Sequence, residues 1–158
     1  ICVTDREQLH LLEFTERRAL PAEMRRLSKA AKGRIGPGRL AMTDRVECRL
    51  SAYFAGETAA FDLPIARHGT PFQQLVWQEL MRIPAGATLS YSERARRLGR
   101  PEATRAVARA NGANQIAVVI PCHRIIGADG ALTGYGGGLW RKQALLDHEN
   151  LAFAGKQA

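Results

Sequence analysis

Cys122 and His123 stand side by side at the end of an apolar run, Ala-Val-Val-Ile-Pro-Cys-His-Arg over residues 117–124. A thiol attacks as its thiolate, and an ordinary cysteine pKa of about 8.5 leaves little of that form at neutral pH, so a neighbouring base decides reactivity. His123 is such a base. Val118, Val119 and Ile120 are too few to span a membrane and predict a buried strand or extended segment that holds the thiol at the floor of a pocket. A core cysteine beside a surface histidine explains the same pair, so the surrounding elements decide between the two.

Thr70 and Pro71 make a helix start, N-cap then proline, with Phe72, Leu75, Val76 and Leu80 on one face and Pro84 at the end. Ser90-Tyr91-Ser92-Glu93 fits a capping box with Ser90 as N-cap, opening a short helix that closes at Gly99. A second helix runs from Pro101 to Ala110 and stops at Asn111-Gly112. The pair, joined by Leu98-Gly99-Arg100, outlines a helix-turn-helix. Its second helix is mostly alanine and arginine. Small residues let a backbone approach a groove while single arginines reach in, although helix propensity alone also favours alanine. Gly134-Tyr135-Gly136-Gly137-Gly138 lacks the preceding strand and the Lys-Ser/Thr ending of a phosphate loop and suits a mobile pocket wall. Leu139 to Asn150 closes the chain as a helix carrying His148 and Glu149. Taken alone, Glu149 reads as a surface carboxylate.

Upstream, residues 1–14 read as two short strands around the polar turn Thr4 to Gln8, followed by a helix over Leu20 to Ala31 and a Gly/Pro loop over Gly33 to Gly38. A second amphipathic helix carries Val46, Leu50, Tyr53 and Phe54, and Phe61 to Ile65 predicts a returning strand. This third of the chain reads as a small α/β supporting lobe in which no cluster looks chemical.

The 158 residues suffice for one domain or two small ones. The net charge of +8 is uneven: residues 1–65 carry 11 basic against 9 acidic side chains, residues 66–158 carry 12 against 6. An arginine-rich basic half makes nucleic acid the first partner to consider. Cys2, Cys48 and Cys122 are odd in number and lack CxxC spacing, which argues against a disulfide framework or zinc ribbon and for a reducing cytoplasm. His10, His68, His123 and His148 have no ligand-like spacing, so no metal is expected. No signal peptide or membrane segment is visible, and a chain opening on Ile1 implies a start that is trimmed or lies upstream.

In order along the chain, Ser90-Tyr91, Thr104-Arg105-Ala106-Val107, Asn114, Pro121-Cys122-His123-Arg124, Gly134-Tyr135 and Glu149 closely resemble the O6-alkylguanine-DNA alkyltransferases, also called methylated-DNA-protein-cysteine methyltransferases. The resemblance is continuous from Gly69 to Glu149. Before that it is loose, through Tyr53-Phe54-Ala55-Gly56 and Phe61-Asp62-Leu63-Pro64. It implies an α+β fold: a small ribonuclease-H-like α/β lobe over residues 1–66, then a mostly helical winged-helix-like DNA-binding and alkyl-acceptor lobe over residues 67–158.

The same resemblance assigns roles. Cys122 would take the alkyl group from O6-alkylguanine, and also from O4-alkylthymine, in a single in-line displacement that leaves an irreversible thioether. His123 would remove the thiol proton through a bound water, and Glu149 would orient the imidazole. Tyr91 would contact the guanine ring. Arg105 would enter the duplex where the flipped nucleotide stood, with Thr104, Ala106, Ala108 and Arg109 facing the minor groove. Asn114 would form the hinge to the Cys122 segment, and Ile125, Tyr135, Gly136 and Gly137 would line the pocket. Double-stranded DNA is the implied partner, bound by a monomer without cofactor or membrane. Gly136 replaces a hydroxyl residue of some relatives, leaving a backbone N–H for O6, and with Gly137 it predicts room for groups larger than methyl. Gln115 replaces a proline common in the family and is expected to loosen its turn.

Two other classes compete. A DNA-binding regulatory module, part of a larger adaptive-response regulator, explains the helix-turn-helix and the charge but not a thiol beside His123. A cysteine hydrolase wants Cys, His and an acid but leaves Tyr91 and the Arg105 helix unused.

Overall fold

The computed structural model describes residues 1–31 and 34–155. Gly33, at the start of the expected Gly/Pro loop, and the last three residues of the 67–158 lobe lie outside the described residues. Two short strands, β1 (Cys2–Thr4) and β2 (Leu9–Leu12), pair antiparallel around the expected polar turn. Asp5 closes that turn by accepting the backbone N–H groups of Glu7 and Gln8, both at 2.7 Å. Helices α1 (Leu20–Ala30) and α2 (Ala41–Phe54) follow.

The remaining elements are α3 (Pro71–Leu80), β3 (Leu89–Ser90), α4 (Tyr91–Arg97), α5 (Thr104–Gly112), β4 (Ile125–Ile126) and α6 (Leu139–Phe153). The expected capping box of Ser90 with Glu93 opens α4, and at the expected N-cap Thr70 a second box, with Gln73, opens α3. The result is a mixed α/β fold of small sheets and helices, in which no described helix is long and apolar enough to cross a membrane.

Three expectations needed correction. Phe61–Ile65 is not a strand; Ile65 alone bridges to Leu9, because the segment lies beside β2 for one residue only. Residues 117–120 are buried as expected, yet they turn rather than extend. The helical faces hold at Val46, Tyr53, Val76 and Leu80, but Leu75 and Phe54, expected on them, are exposed, and Trp77, left off, is buried. Trp77 is decisive for the site, since its Nε1–H donates to the Ala110 carbonyl at 2.8 Å and fixes the end of α5 against α3.

The main core joins β2, α2, α3, α4, α5 and the segment through Cys122, so the thiol is packed into the same cluster as Leu9 of the N-terminal hairpin. Leu12 exchanges backbone hydrogen bonds with residues 115 and 117 (2.9 and 2.7 Å), which ties the N-terminal hairpin to the turn before Cys122. On the far side, β3 pairs parallel with β4, placing the start of α4 beside the residues that follow the thiol.

Candidate active site

The chain reaches Cys122 through two consecutive tight turns. Val118 adopts a positive φ of 70°, with the N–H of Val119 bonded to the Ala117 carbonyl at 2.8 Å. A β-branched residue in this region costs on the order of 1–3 kcal/mol, so the surrounding packing must impose it. Pro121 (φ −81°, ψ 62°) then makes a second three-residue turn, closed by Cys122 N–H to the Ile120 carbonyl at 2.8 Å. Residues 122–124 form a single 3-10 turn in which Cys122, His123 and Arg124 are all buried.

Asn114 stitches this approach together. Its side-chain oxygen accepts the Ile116 N–H (3.0 Å), and its amide donates to the Ile120 carbonyl (2.9 Å) and to Cys122 Sγ (3.1 Å). Burial pushes the Cys122 thiol up to about 11, against the Asn114 hydrogen bond and the positive charges of Arg17 and Lys142, which favour the thiolate. At rest the site therefore holds a neutral thiol.

His123 is fully enclosed. Its Nε2–H donates to Glu149 Oε1 at 2.9 Å, which leaves Nδ1 as the ring's acceptor; Nδ1 is buried and has no hydrogen-bond partner. Desolvation holds the imidazole's proton affinity below the usual value despite Glu149, so the ring is a neutral base. Glu149, read in isolation as a surface carboxylate, is 0% exposed. Burial alone would raise its pKa, but His123 and Arg124 hold it far below the ordinary carboxylate range. Arg124 grips it through Nε (2.9 Å) and Nη2 (2.7 Å), Tyr53 Oη donates at 2.8 Å, and the Gly86 N–H at 3.2 Å.

The other expected residues fall as follows. Tyr91, half-buried at the start of α4, lines a cleft of about 510 Å³ with Ala108, Gly112, Thr133, Gly134, Tyr135, Gly136 and Arg17. Burial raises the Tyr91 phenol, so it remains a donor at neutral pH. Arg105, Ala106 and Arg109 are exposed on α5, Thr104 and Ala108 are partly covered, and Val107, Ala110 and Asn111 face inward. Ile125 is buried, and its carbonyl accepts Lys142 Nζ at 2.5 Å; the same ammonium donates to the Thr133 carbonyl at 2.7 Å, clamping both ends of the loop between β4 and the glycines.

The room expected at the glycines is not there. A Cβ on Gly136 would lie 1.6 Å from Arg17 Nη1, and one on Gly137 would lie 2.5 Å from the Phe14 ring. The missing side chains admit Arg17 and Phe14 rather than a larger substituent, which removes the basis for expecting bulky alkyl groups. Gln115 does not loosen its turn either. It is buried, its backbone carbonyl accepts the Leu12 N–H at 2.9 Å, and its side chain donates to the His68 carbonyl at 3.4 Å.

Sequence reasoning missed Tyr53, Arg124, Lys142 and Arg17, because nothing local marks a residue that acts across the fold. The usable signals were the Tyr53-Phe54-Ala55-Gly56 run for Tyr53 and the Pro121-Cys122-His123-Arg124 run for Arg124. No three His, Cys, Asp or Glu side chains gather as a metal site among the described residues.

The family model for the 6-O-methylguanine DNA methyltransferase DNA-binding domain matches residues 71–151. The methylated-DNA–protein-cysteine methyltransferase of Mycobacterium tuberculosis H37Rv is 57% identical over 101 residues, 64% of this chain and 61% of that protein. Its Salmonella typhimurium counterpart is 56% identical over 102 residues, 64% and 60% respectively. The match thus spans about three fifths of these curated relatives' length. Among solved structures, Mycobacterium tuberculosis OGT in complex with DNA superposes with a TM-score of 0.81 at 42% identity, covering 96% of this chain and 86% of that one. The O6-methylguanine-DNA methyltransferase of Pyrococcus kodakaraensis shares the fold at a TM-score of 0.70 and 24% identity, covering 94% and 89%.

Proposed function

The chain belongs to the 6-O-methylguanine DNA methyltransferase family, and on that premise we propose that it repairs DNA by moving an alkyl group from guanine O6 to Cys122. The observation that carries this reading is the buried relay. Glu149 holds His123 in the tautomer whose Nδ1 accepts a proton, one residue from a thiol that Asn114 supports. In the reaction the Cys122 Sγ–carbon bond forms as the carbon–O6 bond breaks. The thiol proton passes to His123, and the departing guanine gains a proton. Tyr91 supplies a donor against the charge growing on the base, and the Gly136 N–H serves O6. The thioether has no route back, so each chain acts once, on O6-alkylguanine and on O4-alkylthymine.

A stacked base cannot reach a buried thiol, so the nucleotide turns out of the duplex at a cost of a few kcal/mol. The exposed side of α5 fits this step: Ala106 and Ala108 permit close approach to the minor groove, Arg105 fills the vacated stack, and Thr104 and Arg109 meet the backbone. In the same reading residues 1–66 are the ribonuclease-H-like lobe, residues 67–158 the winged-helix-like lobe, and the protein works as a monomer in the cytoplasm. The test is stoichiometric: transfer from duplex DNA bearing O6-methylguanine should plateau at one methyl per chain. A protein that binds this DNA but transfers nothing is the regulatory module instead.

A further inference from the structure

A buried ion cluster from the N-terminal part of the chain closes the other side of this site. Arg17, in the turn before α1, is buried against two buried carboxylates. Its Nε donates to both oxygens of Glu23 (3.0 and 3.1 Å), its Nη2 donates to Glu23 Oε1 at 2.7 Å, and Glu13 Oε2 lies 3.4 Å from Nε. Two further bonds leave the cluster. Nη2 also donates to the carbonyls of Gly112, the last residue of α5, at 2.9 Å and of Asn114 at 3.3 Å. Nη1 occupies the space that a side chain on Gly136 would need. One guanidinium therefore touches the end of the DNA-facing helix, the turn whose amide donates to Cys122, and the pocket's glycine loop.

We propose that Arg17 is a positioning residue for the alkyl-acceptor site, locking α5, the Asn114 turn and the Gly136 loop to the N-terminal hairpin and α1. The planar fork of arginine suits this: Nε and Nη2 engage Glu23 while Nη2 still reaches two carbonyls, a geometry a lysine ammonium cannot reproduce. Glu23 supplies the anchor. Gly136 is the matching partner, since any side chain there displaces the guanidinium. The Arg17 charge also acts on the Cys122 thiol, favouring its ionised form.

The inference rests on the proposed alkyl transfer for its rate but not for its effect on the thiol, so two readouts separate them. The full chain is compared with Arg17→Gln/Glu23→Gln, which removes both charges while keeping hydrogen-bonding groups, and with Gly136→Ala, which keeps the charges but pushes Nη1 aside. Each protein is assayed for single-turnover methyl transfer and for the pH profile of Cys122 alkylation by iodoacetamide. The double variant should transfer at least tenfold more slowly and its thiol profile should move to higher pH. Gly136→Ala should slow transfer, and Gly136→Ala combined with Arg17→Ser should recover part of the loss. A folded double variant with the parent's rate and profile overturns the proposal. Where the double variant does not fold, Gly136→Ala decides: parental transfer and profile overturn the proposal. A parent that transfers nothing, while the variants still shift the thiol profile, refutes the alkyl-transfer reading and leaves Arg17's role standing.

Discussion

Tyr53 Oη donates a 2.8 Å hydrogen bond to Glu149 Oε1 across 96 residues of sequence, joining the N-terminal helix α2 to the carboxylate that orients His123. Both side chains are 0% exposed, so neither can turn to water if the other is lost. A hydrogen bond to a charged acceptor contributes about 1.5–3 kcal/mol. Tyr53→Phe should lower stability by that amount in urea unfolding. Transfer should fall by less than about tenfold, because Glu149 keeps the other donors of its relay. A silent Tyr53→Phe would mean that the relay does not depend on α2.

Glu149→Gln is expected to be far more severe. It leaves the Arg124 guanidinium buried without its anion, a situation that costs about 3–5 kcal/mol. It also frees His123 to adopt the wrong tautomer. Loss of the orienting carboxylate in a comparable relay lowers the rate on the order of 10⁴-fold. Guanidinium unfolding and single-turnover transfer read the two effects separately, and a variant that loses stability but keeps its rate would remove Glu149 from the relay.

Glu13 predicts a pH dependence of stability. Burial pushes its carboxyl up to about 7, against the opposing charge of Arg17. Because the folded-state pKa is raised, the favourable contribution is fully present below the unfolded value of about 4.3 and is lost as the pH climbs through 7. Glu13→Gln should therefore stabilise the protein at pH 8 relative to the parent, on the order of 2 kcal/mol, and do little at pH 4. Thermal unfolding at the two pH values is the measurement, and an equal effect at both would place the Glu13 carboxyl in an ordinary environment.

Arg105 separates DNA handling from chemistry. Exposed on α5, it touches neither the relay nor the thiol's supports. Arg105→Ala should slow transfer from duplex DNA by about tenfold or more while leaving transfer from the free base O6-methylguanine unchanged. Equal losses on both substrates would show that the arginine acts on the pocket instead.

The helices of this fold were legible where local chemistry marks them. Thr70-Pro71 and Ser90 to Glu93 fixed two starts, and the polar turn after Thr4 fixed the hairpin. Residues 117–120 were misread as extended, because β-branched residues favour strands and only long-range packing forces Val118 to a positive φ. Cys122 and His123 were visible as neighbours. Glu149, by contrast, reads as an ordinary helix carboxylate until Tyr53, Arg124 and Gly86 surround it. Gly136 and Gly137 misled for a related reason: a glycine shows that space is needed, but not whether substrate or a distant Arg17 and Phe14 will fill it.

The most direct measurement is peptide mass spectrometry after incubation with duplex DNA bearing O6-methylguanine. Tryptic cleavage isolates residues 110–124, which contain Cys122 as the sole cysteine. The expected result is that this peptide gains one methylene on Cys122, in step with guanine restored in the DNA, and that Cys122→Ser gains nothing. Repaired DNA with an unmodified Cys122, or methylation confined to Cys2 or Cys48, would contradict it.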